Sequence, residues 1–208
     1  MKGKFIAFEG CEGAGKSTQM RLLSETMQKR GIAHVVTREP GGGPISEAVR
    51  KIILDGKNAA MTDECEALLY AAARAQHLAD VVLPALGRGE TVLCDRYIFS
   101  SFAYQGYGRG LSLEFLRQIN AYAIAACMPD CTLFLDIPPA RAFERKHGRD
   151  ENDRIETAGE AFHRRVYEGY HALLGAYAPQ LVALDCSGTK YETSARIAAL
   201  LEARGLLG

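Results

Sequence analysis

The stretch Gly10-Cys11-Glu12-Gly13-Ala14-Gly15-Lys16-Ser17 decides the fold of this 208-residue chain. Its spacing, G-x-x-x-x-G-K-[ST], is the pattern of a loop whose backbone amides surround phosphate groups. A short apolar run of strand character, residues 4–8, precedes it, and Met20, Leu23 and Met27 follow at helical spacing. Because the pattern needs this strand–loop–helix context, the sequence predicts a P-loop that binds a nucleoside triphosphate.

Each residue type in the loop has a chemical task. Gly13 and Gly15 let amide groups turn toward an anion, and the helix that begins near Lys16 directs its positive end at the same point. Lys16 can reach the β- and γ-phosphates, and the Ser17 hydroxyl can ligate Mg²⁺. We therefore assign triphosphate binding to Gly10, Cys11, Glu12, Gly13, Ala14, Gly15, Lys16, Ser17 and Thr18.

The composition is that of one globular domain, which we place at residues 1–208. Apolar residues make up 48% and charged residues 24% of the chain, and 25 basic residues balance 25 acidic ones. A net charge of zero offers no electrostatic basis for a nucleic-acid or membrane partner. We expect neither a membrane span, which needs about 18 apolar residues, nor a cleaved leader segment.

The six cysteines predict thiols rather than a disulfide framework or a zinc site. They form no C-x-x-C pair, and several fall in predicted strand or helix interiors, where cysteine acts as a small apolar residue. Cys127 and Cys131 are four residues apart, but no histidine or second cysteine pair accompanies them. We expect a reduced, cytoplasmic protein.

Four further apolar runs predict strands, at residues 33–36, 91–94, 131–135 and 181–184. Helical segments separate them, and the last helix begins with a capping box formed by Thr189 and Glu192. Strands that alternate with helices form a parallel sheet covered on both faces. Ligands of such sheets bind beyond the carboxyl ends of the strands.

Three of the helices can be bounded from the pattern. Apolar residues at helical spacing within 45–53 predict an amphipathic helix. Thr62 caps a long helix that runs to about Leu86 and that Pro84 bends near its end. Another helix is predicted from about residue 157 to residue 174.

Polar side chains follow the second and third strands at their carboxyl ends. Asp95 is suited to holding Mg²⁺ beside the phosphates, although an isolated aspartate at a strand end is more often a cap or turn residue. Arg38 and Arg96 could grip a second phosphate group, the alternative being ordinary surface arginines. Two anion sites side by side suggest a kinase whose acceptor is itself a phosphate.

Two further segments admit a functional and a plain interpretation. On the long helix, Tyr70 and Arg74 are one turn apart, so they could stack on and hydrogen-bond a base, or be a core tyrosine and a solvated arginine. Residues 145–154 are highly charged. Such a run is either a solvated surface segment or a mobile lid, at about residues 145–156, that brings arginines to the γ-phosphate.

Six segments, in this order and spacing, resemble the thymidylate kinases (dTMP kinases). They are Phe8-Glu9-Gly10 leading into the P-loop, Thr37–Gly42, Tyr70–Gln76, Asp95-Arg96-Tyr97, Tyr104-Gln105-Gly106 and Asp153-Arg154-Ile155-Glu156. The resemblance implies a P-loop nucleoside monophosphate kinase fold, a three-layer αβα arrangement around a five-stranded parallel sheet. It also implies phosphorylation of dTMP to dTDP with ATP and Mg²⁺, and a homodimer formed through the long helices, where Ala67, Ala71 and Ala75 make a small-residue stripe.

The resemblance further implies roles for individual residues. Arg38 and Arg96 would hold the acceptor phosphate, with Lys16, Arg96 and Glu12 in the catalytic centre. Tyr70 would stack on thymine and Arg74 would bond its O4, while Ser101 and Gln105 would line the base edge and Tyr104 would lie under the sugar. Ser17 and Asp95 would contact the metal, and Arg145 would contact ATP.

The catalytic arginine is expected in the lid. Some thymidylate kinases carry it in the P-loop, at the position that Gly13 occupies here, so this chain resembles the bacterial group that supplies it from the lid. Arg149 is the first candidate and Arg154 the second. Other interpretations are a P-loop kinase of a different nucleotide or deoxynucleoside, or a nucleotide-dependent switch. The absence of an N-K-x-D motif disfavours a GTPase-type switch.

Overall fold

The computed structural model describes residues 3–145 and 153–207, without the side chains of Phe143 and Arg145. Its five strands form one parallel sheet in the order β2-β3-β1-β4-β5, which confirms the predicted α/β fold. The strands are β1 (Phe5–Glu9), β2 (His34–Arg38), β3 (Thr91–Asp95), β4 (Cys131–Asp136) and β5 (Leu181–Asp185).

Helices cover both faces of this sheet. They are α1 (Lys16–Lys29), α2 (Pro44–Leu54), α3 (Asp63–His77), α4 (Leu83–Gly87), α5 (Ile98–Ser101), α6 (Leu113–Ile119), α7 (Ala121–Ala126), α8 (Pro139–Arg145), α9 (Glu160–Tyr177) and α10 (Lys190–Ala203). Successive β1 residues point to opposite faces, so Phe5 and Ala7 pack in one core with α3 and α9, and Ile6 and Phe8 in the other with α1 and α10. The molecule is therefore the predicted three-layer αβα sandwich.

The interior strands are buried on both faces, as their unbroken apolar runs predict. Every residue of β1 is buried, and so is every residue of β3 and β4 except the aspartate that ends each. All six cysteines are thiols, four of them buried, and Cys65 is exposed. None of the helices within the described ranges is long and apolar enough to cross a membrane.

The sequence predicts one continuous long helix, but the structure interrupts it with a π-helical turn. α3 is capped by the Thr62 side chain, which accepts from the Cys65 amide as expected, and it ends at His77. Residues Leu78–Val82 form the π-turn, after which the chain continues as the α-helix α4, with Pro84 near its start. Proline has no amide hydrogen and its ring clashes with the carbonyl four residues earlier, so the wider turn accommodates it without ending the segment.

One helix boundary, one unpredicted segment and the burial of one helix also differ from prediction. α9 starts at Glu160 rather than residue 157, because Gly159 has φ +91° and the preceding residues form a turn around the Asp153 carboxylate. Residues 98–108, for which the sequence predicts no element, form α5 and a π-helical segment, Phe102–Gly108. The helix α2 is confirmed, but its Ile45 and Ile52 are 57% and 48% exposed instead of packed.

Candidate functional site

The carboxyl ends of three neighbouring strands meet at one edge of the sheet. Asp95 of β3 lies in register with Arg38 of β2 on one side and with Phe8 of β1 on the other. A cavity of about 500 Å³ opens at this edge. The predicted site residues that line it are Glu12, Gly13, Gly15, Lys16, Ser17, Thr18, Arg38, Tyr70, Arg74, Asp95, Arg96, Ser101, Tyr104 and Gln105. The structure thus brings together residues separated by up to 93 positions in the sequence.

The P-loop leads from β1 into α1, which confirms the predicted strand–loop–helix arrangement. Gly10, Gly13 and Gly15 have positive φ angles of 143°, 78° and 92°. At Gly10 an added Cβ would also lie 3.1 Å from the Leu135 carbonyl oxygen, so a larger residue would be both strained and crowded there. Lys16 is buried and its ammonium donates to the Gly10 and Cys11 carbonyls at 3.3 and 3.2 Å.

Burial keeps the Cys11 thiol of the P-loop protonated. It raises the pKa of Cys11 to about 11, and it outweighs the opposing effect of the nearby Lys16 and Arg96 cations. The thiol is therefore neutral at pH 7, so Cys11 serves the loop as a small apolar residue.

The two predicted metal contacts are adjacent. The Ser17 hydroxyl donates to Asp95 Oδ2 at 3.4 Å, and the buried Asp95 Oδ1 has no hydrogen-bond partner in the described part of the chain. A buried carboxylate oxygen without a donor suits a cation, so these residues fit Mg²⁺. Among the described residues no cluster of three or more His, Cys, Asp or Glu could hold a metal unaided. One or two protein oxygens, completed by substrate phosphates and water, are the ligand set that Mg²⁺ commonly takes.

Arg96 connects the P-loop with the π-helical segment. Its guanidinium pairs with the Glu12 carboxylate, donates to the Tyr104 hydroxyl at 2.9 Å and lies 4.7 Å above the Tyr104 ring. It also donates to Ser100 Oγ at 3.2 Å. The side chain is 15% exposed, so its charge is fixed in the cavity wall.

Arg38 is more exposed and is held by a carboxylate. Its side chain, 54% exposed, donates to both oxygens of Glu47 at 3.0 and 3.1 Å. Burial raises the pKa of Glu47, but the Gly42 amide and Arg38 outweigh it and hold the pKa below its usual value. A phosphate bound by Arg38 would compete with Glu47 for the same guanidinium.

Arg74 is a buried residue, so the alternative of a solvated arginine is wrong. It is 2% exposed, and its Nε donates to Glu39 at 2.7 Å. Its terminal nitrogens donate to Asn120 at 2.6 Å and to Ser101 and the Tyr97 carbonyl at 3.1 Å each. These bonds fix the guanidinium in the cavity wall.

Tyr70 and Gln105, two further predicted residues, line the same cavity as Arg74. Burial raises the pKa of Tyr70, so its ring is neutral in the cavity. Gln105 donates its amide to Glu66 at 2.9 Å, which fixes the amide orientation.

The lid arginines are only partly accounted for. Arg149 and the side chain of Arg145 lie outside the described part of the structure. Arg154 donates to Glu66 at 3.0 Å and to the Ile53 carbonyl at 3.1 Å, and it is not among the residues that line the cavity, although Asp153, Ile155 and Glu156 are. In this arrangement Arg154 is bound to the α3 side rather than to the P-loop.

Some site residues were missed by sequence reasoning. A recess of about 400 Å³ lies against the P-loop, beside the predicted Gly13, Ala14, Gly15 and Thr18. Its other lining residues, which were not among the predicted site residues, are Gln19, Cys186, Gly188, Lys190 and Thr193. The structure confirms the capping box of Thr189 and Glu192 at the start of α10. Because α10 follows β5, this segment lies at the carboxyl end of a strand, where ligands of parallel sheets bind, so the topology could have pointed to it. No role was assigned from the sequence to the buried carboxylates Glu9, Glu39 and Glu66, although Glu9 and Glu39 lie within two of the segments that carry the family resemblance.

Comparison with known proteins identifies relatives over most of the chain. The family model described as thymidylate kinase matches residues 8–197. The thymidylate kinase of Desulforudis audaxviator (strain MP104C) is 53% identical over 177 residues, 85% of this chain and 80% of the relative. That of Bacillus pumilus (strain SAFR-032) is 49% identical over 190 residues, 90% and 89% of the two chains, and that of Citrifermentans bemidjiense is 44% identical over 208 residues, 97% and 92%.

Proposed function

The chain belongs to the thymidylate kinase family, and from this membership we propose that it transfers the γ-phosphoryl group of ATP to dTMP, forming ADP and dTDP. The observation that carries the proposal is one cavity whose wall holds two groups of cationic and amide donors. The P-loop with Lys16 is the first group, suited to a triphosphate, and Arg38 with Arg96 is the second, suited to an acceptor phosphate. A nucleotide-dependent switch, which binds only a triphosphate, would not need a second group of cationic side chains.

Positioning and charge stabilisation supply the rate. The acceptor atom is already a phosphate oxygen, so it needs little help from a general base. Arg38 and Arg96 align the acceptor phosphate, and Lys16 stabilises charge on the transferring group. Ser17 and Asp95 would hold Mg²⁺, which supplies further charge neutralisation when bound.

The base side of the cavity suits thymine. Tyr70 offers a flat face for stacking. Arg74 uses four of its five N–H groups in the bonds that the described residues provide, which leaves one for a carbonyl oxygen such as O4. Ser101 and Gln105 also line the cavity and would contact the base edge, and Tyr104, which accepts from Arg96, would lie under the sugar.

The donor nucleoside suits the recess on the other side of the P-loop. Gly15 and Thr18 line both this recess and the main cavity, so a triphosphate on the P-loop would extend between them. The lid, at about residues 145–156, would close over this donor and provide Arg149. All six cysteines being thiols suits a reducing compartment such as the cytoplasm.

The acceptor is tested with a panel of nucleoside monophosphates, by coupled measurement of ADP release. We expect dTMP to be the best acceptor. We expect dUMP to react, but more slowly, because the one methyl group that it lacks is worth only about 1–3 kcal/mol of transition-state binding. Preference for another monophosphate or a nucleoside would indicate a different P-loop kinase. ATP hydrolysis unaffected by any acceptor would indicate a nucleotide-dependent switch.

We also propose a homodimer formed through α2 and α3. These helices pack against each other and expose Ile45, Ile52 and Leu68, the last 50% exposed, while Ala71 and Ala75 are half-buried. A surface of this kind is typical of an interface. Leu68→Glu should convert the dimer to a monomer in sedimentation experiments. The matched control is Tyr191→Glu on α10, whose side chain is 66% exposed; equal loss of the dimer in both variants would contradict this interface.

A further inference from the structure

We propose that Glu9, at the end of β1, is a positioning residue that holds Arg96 in place for the acceptor phosphate, acting through Ser100. The proposal rests on the proposed function, since it concerns the same acceptor site. Glu9 is fully buried and does not line the cavity. Its influence on the reaction must therefore pass through the groups that it binds.

Both oxygens of the Glu9 carboxylate are used. Oε1 accepts from the backbone amides of Tyr97 at 2.9 Å and Ser100 at 3.0 Å. Oε2 accepts from the Ser100 hydroxyl and from the Tyr170 hydroxyl, the latter at 2.7 Å. One carboxylate thus binds the first residue after Arg96 and the fourth, and it joins this segment to α9.

The backbone at Arg96 needs such support. Arg96 has φ +73° and is the one non-glycine residue with positive φ in the described structure. This conformation is unfavourable for a residue with a Cβ, so surrounding contacts must impose it. The Arg96 amide donates to the Phe8 carbonyl at 2.8 Å, and the next amide, that of Tyr97, donates to Glu9. Two successive residues of β1 therefore hold the two amides on either side of the strained Cα.

The side chain of Arg96 is held through the same carboxylate. Its Nη1 donates to Ser100 Oγ, and the Ser100 hydroxyl donates onward to Glu9. The chain Arg96–Ser100–Glu9 ends on a buried negative charge, which favours the orientation of the guanidinium toward it. Burial raises the pKa of Glu9, and the nearby Arg96 charge and the hydrogen bonds from Ser100, Tyr170 and the Tyr97 amide oppose this rise.

The first test replaces the charge with a group of the same shape. In Glu9→Gln we expect the KM for dTMP to rise about tenfold to a hundredfold and kcat to fall, because small displacements of a positioning group have effects of this size. The KM for ATP should be unchanged. If the wild-type protein does not phosphorylate dTMP, the proposed function fails; if the wild type is active and the variant keeps its KM for dTMP, this inference fails.

The control is Asp130, whose carboxylate binds the backbone at the opposite end of β1 from Glu9. Asp130 Oδ2 accepts from the Phe5 amide at 2.8 Å, so Asp130→Asn makes the matched change far from the cavity. It should leave both KM values unchanged even where the melting temperature falls. If Glu9→Gln instead raised the KM for ATP and for dTMP equally, together with a lowered melting temperature, its role would be general stability and the inference would be wrong.

A double-mutant cycle tests the path through Ser100. Ser100→Ala breaks the Arg96–Ser100–Glu9 chain while the Glu9 charge stays in place. We expect Ser100→Ala combined with Glu9→Gln to be no worse than the more damaging single variant, since both interrupt one connection. Multiplication of the two single effects would show that the residues act independently and would overturn the proposed path.

Discussion

Lys16→Ala should abolish turnover of dTMP and leave the fold intact. The ammonium group lies in the P-loop, where it now donates to the Gly10 and Cys11 carbonyls. A bound triphosphate would offer phosphate oxygens in their place, and charge that develops on the transferring group would meet this cation. Loss of a single preorganised group of this kind costs at least about 10²–10³ in kcat.

The experiment compares steady-state kinetics with thermal unfolding. The matched control is Lys29→Ala at the other end of α1, whose side chain is exposed and distant from the P-loop, and it should behave as the wild type. Near-normal activity of Lys16→Ala would refute the P-loop as the donor site. Loss of the folded state would show that its two carbonyl contacts are structural.

Arg149→Ala should lower kcat by about 10³-fold, by analogy with arginines that stabilise phosphoryl transfer in other enzymes. The P-loop lacks an arginine, since Gly13 occupies the position at which some thymidylate kinases carry one. The other lid candidate, Arg154, is bound to the fully buried Glu66. We therefore propose that Arg149 completes the charge around the γ-phosphate, and that the KM for dTMP changes little in this variant.

Arg154→Ala provides the contrast. Glu66 also accepts from Arg109 and Gln105, so removal of Arg154 leaves its carboxylate only partly compensated. We expect a loss of about 1–3 kcal/mol in the free energy of unfolding and a smaller effect on kcat than in Arg149→Ala. If Arg154→Ala had the larger effect on kcat, the order of the two candidates would be reversed and Arg154 would have to leave Glu66 during turnover.

The fold could be predicted because its determinants are local. Unbroken apolar runs predict buried parallel strands, and the P-loop fixes the first strand and helix. Arg38, Asp95 and Arg96 could be placed together because each follows a strand of a parallel sheet, whose carboxyl ends share one edge. The thymidylate kinase resemblance supplied the acceptor and the base-side residues, which spacing alone left open.

Other features depend on pairings that a sequence does not display. The spacing of Arg74 in the sequence is compatible with a solvated or a buried side chain. Its burial depends on Glu39 and Asn120, which are 35 and 46 residues away. The partners of Glu9 are 88 to 161 residues away, and those of Arg154 include a carboxylate 88 residues earlier. The π-helical turns escape periodicity arguments for another reason, because their spacing differs from that of the α-helix.

The distribution of the thiols makes the chain ready for fluorescent labelling. Burial protects Cys11, Cys94 and Cys131 and raises the pKa of each thiol, so little nucleophilic thiolate is present at neutral pH. Cys65 is exposed in the first turn of α3, the helix that carries Tyr70 and Arg74 into the cavity. A maleimide dye would therefore attach preferentially at Cys65, which lies one helical turn before Leu68, so the proposed dimer through α3 should slow this labelling.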